Sequence, residues 1–317
     1  MGFIIRRLLA ALPVLFLVSV MVFMMLHMLP GDPATVILGD EATPEAIAAL
    51  RTELGLDKPL LAQYLDWAGK VFQGNLGRSL LDRTPVTELI LQRLPATAEL
   101  IAGSFLVALA IALPSGIIAA ARPNQAADHI GTAVSFIGMS IPHFWLGMMF
   151  IMFFAARLGW LPASGYVPFS ADPSANLKAM IMPMVATGFR ESAILMRMIR
   201  SSLLEVMNLD YIRTARAKGL STRRVILGHA LKNSLIPVVT TSGIMIASLL
   251  GGLVITESIF SIPGYGKLII DAIFSRDYTT VQGAILVSAV IVVGINFIVD
   301  VLYTLIDPRI KLGKENN

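Results

Sequence analysis

The sequence predicts an all-α integral membrane protein with six transmembrane helices. Three observations carry that reading. Charged residues make up 15% of the 317-residue chain and apolar residues 56%, whereas soluble proteins carry about 25% charge. Long uncharged runs recur along the chain. Lys and Arg collect in segments that alternate with those runs. So little charge cannot cover the surface of a soluble domain of this size. That argues against a disordered chain, a secreted disulfide scaffold and an ordinary cytosolic enzyme. The absence of Cys excludes disulfides, thiolate metal sites and a cysteine nucleophile.

The runs are Leu8–Leu29, Leu100–Ala121, Ile130–Ala156, Ser234–Thr256 and Thr279–Val299. Each meets the requirement of about 20 apolar residues for a span. A sixth, weaker run starts at Ala179, is interrupted by Arg190 and Glu191, and continues to Arg200. The first run is too long for a signal peptide and no small-residue cleavage site follows it, so it reads as an uncleaved anchor. Residues 200–233 carry seven basic side chains against two acidic ones, and Arg6, Arg7, Arg309, Lys311 and Lys314 flank the termini. Residues 30–95 carry six basic against nine acidic. The positive-inside rule then places both termini and the 200–233 loop in the cytoplasm. An even number of spans agrees with that. The net charge of +4 is therefore a topology signal and gives little support to nucleic-acid binding.

Residues 30–96 have their own helix punctuation. Thr43 before Pro44 is an N-cap followed by Pro at the first helical position, and Gly55 can end that helix. Asp57-Lys58-Pro59 opens a second helix that closes near Gly74, and Thr84-Pro85 opens a third that runs to Arg93. The segment is either a lid packed over the outer loops or a docking and gating surface for an external partner.

The most informative stretch is Asp210 to Gly219, with Tyr211, Ile212, Arg213, Thr214, Ala215, Arg216, Ala217 and Lys218 between them. It predicts a short helix stopped by a left-handed Gly219. Ser221 or Thr222 then caps a second helix that runs past Asn233 and Pro237 into the fifth span. A helix of about ten residues is marginal alone in water. Small Ala positions beside a Gly allow another backbone to approach. These features suit a helix set into a partner's groove, or a basic loop resting on anionic lipid headgroups.

These residues resemble the permease subunits of ABC importers, and within them the dipeptide/oligopeptide/nickel branch. The resemblance covers nearly the whole chain. It includes Pro30-Gly31-Asp32-Pro33, the Asp210–Gly219 loop, the segment Glu257-Ser-Ile-Phe-Ser-Ile-Pro-Gly-Tyr-Gly266, and Asp307-Pro308-Arg309. In the general permease pattern the loop opens with Glu-Ala-Ala. Here Arg213, Thr214 and Ala215 stand at those positions, so no acidic contact is carried over to position 213. The resemblance implies a type I importer permease fold in the bacterial inner membrane, with a helical periplasmic elaboration between the first two spans. It divides the chain into residues 1–95 (first span and periplasmic segment), a core permease domain at 96–308 and a cytoplasmic tail at 309–317. It makes the helix near 210–220 the coupling helix. Asp210, Tyr211, Arg213, Ala215, Arg216, Ala217, Lys218 and Gly219 would then engage a cytoplasmic ATPase. The implied partners are a second homologous permease (this chain being the "B" member of a heterodimer), two ATPase subunits, and a periplasmic or lipid-anchored binding protein. ATP and Mg belong to the ATPases and this chain is not an enzyme. The implied cargo is short peptides; nickel, glutathione or another small solute is the alternative.

Other candidates bear on mechanism. Intramembrane charge is costly and marks function by default. Arg190 and Glu191 therefore either line the translocation path or pair with neighbouring helices, and Arg197 sits near the cytoplasmic end, where it can snorkel. Glu99 and Glu257, at outer ends of spans two and five, are exposed anchors or parts of an outer gate. Met180, Met182, Met184, Met196 and Met198 are either a yielding path for varied side chains or ordinary filler. Pro263 to Lys267 hints at a phosphate loop but lacks the first Gly and the final Ser/Thr; it reads instead as a bent segment whose glycines make turns. The four His residues show no metal or catalytic spacing, which disfavours an intramembrane enzyme. A self-contained secondary transporter would show internal repeats, and none is evident.

Overall fold

The computed structural model describes residues 2–28, 35, 38 and 43–306. The Pro30–Pro33 and Asp307–Arg309 motifs and the tail at 309–317 lie outside the described residues. Among those described the protein is helical, with one isolated bridge between Arg78 and Pro85. The helices are α1 (Gly2–Met28), α2 (Pro44–Leu54), α3 (Leu60–Phe72), α4 (Val86–Ala121), α5 (Ala126–Ser140), α6 (His143–Phe150), α7 (Pro173–Val206), α8 (Asp210–Ala217), α9 (Thr222–Val225), α10 (Leu231–Gly252), α11 (Val254–Ile259), α12 (Tyr265–Phe274) and α13 (Tyr278–Ile306). A π-helical segment, Ile151–Arg157, extends α6, and another, Ile226–Ala230, joins α9 to α10.

Among the described residues three helical stretches are long and apolar enough to cross a membrane: Val86–Ala121, Thr222–Gly252 and Tyr278–Leu302. The pair Ala126–Ser140 and His143–Arg157 passes the same test jointly but is bent by 92°. The expected third span is thus broken at Ile141-Pro142. Ile141 is extended (φ −84°, ψ 121°), as a residue before proline prefers. The apolar part of α1 is the shorter Leu9–Met25. Helix α7 is 34 residues long but carries Lys178, Arg190, Glu191, Arg197, Arg200 and Glu205.

The chain divides into two compact units. The first comprises Met1–Pro95 with Lys267–Val293. Its local punctuation follows the sequence closely. Thr43 caps α2 by accepting from the Ala46 N–H at 3.3 Å, and Gly55 ends it at φ 69°. Helix α3 follows Pro59 and stops just before Gly74, which has φ 79°. It packs on α1 through Tyr64, whose hydroxyl hydrogen-bonds Ser19 Oγ at 2.8 Å and whose ring stands edge-on to Phe23 at 5.4 Å. The expected third outer helix does not end at Arg93. It continues through Pro95 as α4, because one missing N–H removes a single ladder bond while Ala96 and Leu100 beyond it are buried. Buried Asp277 caps α13. It accepts from Thr280 Oγ1 at 2.7 Å, and also from Ser79 Oγ at 2.6 Å and the Leu80 N–H at 3.1 Å. That one carboxylate ties two segments almost 200 residues apart.

The second unit comprises Ala96–Gly266 with Gly294–Asn317. Its core holds Leu100, Met180, Leu195, Met196, Ile199, Leu253, Phe260 and Ile262. Helices α4 and α7 approach closely at Gly188, where a Cβ would come within 2.8 Å of Val107. Small residues at such crossings are how membrane helices gain contact. Met180, Met182 and Met196 are buried in this core, so these three act as filler.

Candidate functional site

The short helix α8 is built as a two-faced element. Ile212 and Ala215, one helical turn apart, are buried. They pack with Ala120, Leu203, Val206, Met207, Val225, Ile226 and Ala230. Asp210, Tyr211, Arg213, Thr214, Arg216, Ala217, Lys218 and Gly219 are exposed. Gly219 takes φ 80°, the left-handed stop that a Cβ would strain. Tyr211 ties the helix to the next segment. Its hydroxyl accepts from Asn233 Nδ2 at 2.8 Å and reaches the His229 carbonyl at 3.5 Å. Asp210 and Arg213 pair at 3.2 Å while remaining 95% and 73% exposed. Ala215 therefore belongs to the chain's own packing, and its small size serves the seat of α8 rather than its outer face.

Arg190 and Glu191 pair with each other at 2.8 Å. Arg190 stays 40% exposed while Glu191 is 7% exposed. Adjacent helix positions diverge by about 100°, so the long guanidinium arm closes the gap. Arg197 lies over the Phe136 ring at 5.7 Å and is exposed.

Glu257 is fully buried, which overturns its reading as an exposed anchor. Thr97 of α4 donates to Glu257 Oε1 at 2.5 Å and accepts from the Tyr265 N–H at 2.7 Å. The backbone folds round the carboxylate. Ile262 N–H donates to the Glu257 carbonyl at 2.8 Å, and a Cβ on Gly264 would overlap the Glu257 side chain. A Cβ on Gly266 would lie 3.1 Å from Glu257 Oε2. These glycines leave room for the carboxylate. The turn itself is made by Ser261, at φ 53°, a conformation uncommon for a side-chain-bearing residue. Nearby, Tyr166 donates to Glu99 Oε2 at 3.1 Å. Burial, reinforced by that carboxylate, pushes the Tyr166 phenol up to about 12.

A buried ion pair between α5 and α7 escaped the sequence reading. Arg200 of α7 grips Asp128 of α5 with two nitrogens: Nε to Oδ1, and Nη2 to Oδ2 at 2.7 Å. Asp128 also accepts from the Asn124 N–H at 2.9 Å and is only 2% exposed. The partners lie 72 residues apart, so no local pattern announces them; the only signal was an acidic residue beside a long apolar run. His143 Nε2 and the hydroxyls of Ser104, Thr187 and Thr256 are buried without a hydrogen-bond partner. Among the described residues no cluster of three or more His, Cys, Asp or Glu could hold a metal ion.

Comparison with known proteins gives these features a context. Residues 112–312 match the family described as "Binding-protein-dependent transport system inner membrane component", and residues 1–101 match the N-terminal region described for such membrane components. The di/tripeptide transport system permease protein DppB of Pseudomonas aeruginosa is 42% identical over 332 residues, covering 98% of this chain and 99% of the relative. The glutathione transport system permease protein GsiC of Escherichia coli is 41% identical over 311 residues, covering 98% and 99%. The inward-facing MetNI methionine ABC transporter has a chain of the same fold, at TM-score 0.55 and 20% identity, covering 69% of this chain and 96% of that one. The chain belongs to the binding-protein-dependent transport system inner membrane component family, the permease subunits of ABC importers.

Proposed function

We propose that this chain forms half of the translocation pathway of an ATP-driven importer of short peptides in the bacterial inner membrane. Six spans carry it: α1, α4, the bent α5–α6 pair, α7, α9–α10 and α13. Both termini and α8 face the cytoplasm, in keeping with the seven basic against two acidic residues of 200–233 and the basic residues that flank the termini. Residues 1–95 supply the first span and a periplasmic helical segment, 96–308 the core permease domain, and 309–317 the cytoplasmic tail. A second, homologous permease completes the pathway. A periplasmic or lipid-anchored binding protein delivers the peptide. Two cytoplasmic ATPase subunits bind ATP and Mg and do the hydrolysis, and this chain needs no cofactor of its own.

The observation that carries this reading is the two-faced build of α8. A short helix with a buried Ile212/Ala215 seam and an exposed face bearing Arg213, Arg216 and Lys218 suits docking into a partner's groove. The near full-length likeness to a di/tripeptide permease supports the cargo. In this reading Arg190 and Glu191, polar in a spanning helix, belong to the pathway. Glu257, buried against Thr97, braces its outer gate instead of contacting cargo.

Affinity purification in mild detergent tests the assembly: two ATPases and a second permease should co-purify. Reconstituted with the binding protein, the complex should take up labelled dipeptides in an ATP-dependent way. A lone chain that transports without ATP would refute the importer reading. Uptake of glutathione or nickel with no uptake of dipeptides would refute the cargo alone.

A further inference from the structure

The Asp128–Arg200 pair stands at a mechanically meaningful place. Arg200 is one of the last residues of α7, ten positions before Asp210 of α8. Between them Leu203, Val206 and Met207 form the apolar bed on which Ile212 and Ala215 rest. A displacement of α8 therefore reaches the final turns of α7 directly. At those same turns Arg200 holds Asp128, in the first turn of α5. The hold is bidentate, and the carboxylate is further fixed by the Asn124 N–H and, at 3.5 Å, the Thr132 hydroxyl. Two parallel bonds from a planar guanidinium fix direction as well as distance. A buried pair of this kind adds little stability over apolar residues of similar volume, so its distinctive contribution is the fixed geometry.

We propose that Asp128 and Arg200 form a positioning clasp that stays closed through the transport cycle and makes α5 move with α7 and α8. The clasp rests on the reading of α8 as the ATPase contact, and it deepens that reading by naming how motion leaves the contact. Without it, α8 still docks and ATP is still hydrolysed, but α5 no longer follows. Neither residue touches cargo or nucleotide.

The test uses the whole complex in liposomes and reads peptide transported per ATP hydrolysed, alongside the amount of assembled complex. Arg200→Lys keeps the charge but not the fork. Because the chain has no Cys, Asp128→Cys with Arg200→Cys introduces its only thiols, which a flexible bis-thiosulfonate can bridge. Both variants should assemble and lose transport per ATP, the double variant by about tenfold, within the usual range of coupling between sites. Bridging the double variant should restore the ratio. Three results would overturn the clasp: an unchanged ratio in both unbridged variants, a loss that only tracks loss of assembled complex, or a bridged protein that hydrolyses ATP without transporting. If the wild-type complex itself shows no ATP-driven uptake, the importer reading fails and the clasp's role falls with it.

Discussion

Helix α7 carries two ion-paired arginines ten residues apart, and they are held in opposite ways. Arg190 reaches its immediate neighbour Glu191 and stays 40% exposed. Arg200 crosses to another helix, and its partner Asp128 is nearly inaccessible. The first pair could be loosened without separating any elements. The second joins α5 to α7. The same division recurs elsewhere. Asp210–Arg213 stays within one exposed turn, whereas Thr97–Glu257 links α4 to the segment after α10. Polar groups that cross between helices hold this fold, and in the function proposed above those that stay within one helix are the ones offered to partners or cargo.

The sharpest way to break that contrast is to remove each arginine in turn. Arg200→Leu leaves a buried carboxylate without its counter-charge and should cost about 3–5 kcal/mol. Arg190→Leu also strands a carboxylate, Glu191, which is 7% exposed. The partly exposed guanidinium leaves a gap that water can reach and the pair joins no second helix, so the cost should be smaller, about 1–3 kcal/mol. Thermal unfolding of the purified protein in detergent measures both, and equal losses would end the distinction. Thr97→Val comes next. It keeps the shape but removes the hydroxyl that donates to Glu257 and accepts from the Tyr265 N–H. A loss of about 1–3 kcal/mol is expected for removing buried hydrogen bonds, one of them to a carboxylate. A melting temperature indistinguishable from wild type would show that the Glu257 cradle does not depend on α4.

The contrast also explains what the sequence disclosed. Thr43-Pro44 with Gly55, and Gly219 after α8, act through backbone groups a few residues away, so their roles were legible. The end expected at Arg93 is absent because a proline such as Pro95 removes one bond and the apolar burial on its far side keeps α4 continuous. Pro142 broke a run that looked like a single span, because hydropathy registers composition and not the extended backbone that a proline imposes before it. Gly264 and Gly266 were read as turn-makers, yet they serve to admit the Glu257 carboxylate, which no local spacing reveals. Asp128 was passed over entirely. Its partner is 72 residues away, and only the folded chain brings them together. For the exposed face of α8 the sequence did better, since hydrophobic period alone separates Ile212 and Ala215 from Arg213 and Lys218, although it did not tell Ala215, which is buried, from the exposed Ala217.

Arg190→Ala probes the within-helix class where it meets function. If Arg190 belongs to the pathway as proposed, assembly should survive while transport per ATP falls, read as uptake by the reconstituted complex. Full transport would move Arg190 out of the pathway and leave it the counter-charge of the buried Glu191.

The smallest effect on stability is expected at Arg213→Ala, and it separates the two classes most cleanly. Arg213 and Asp210 are both mostly in solvent, where such pairs contribute about 0.2–1 kcal/mol at best. Melting should shift no more than this. Docking should respond quite differently, because the exposed face of α8 holds Arg213 beside Arg216 and Lys218 with only Asp210 to offset them. If that face meets an ATPase subunit, removing one charge should weaken co-purification of the ATPase, and raising salt across the Debye-screening range should weaken the wild-type contact in the same direction. Loss of stability without loss of the ATPase would place Arg213 with the fold-holding residues, and the division between crossing and within-helix groups would then fail at the helix on which the proposed docking depends.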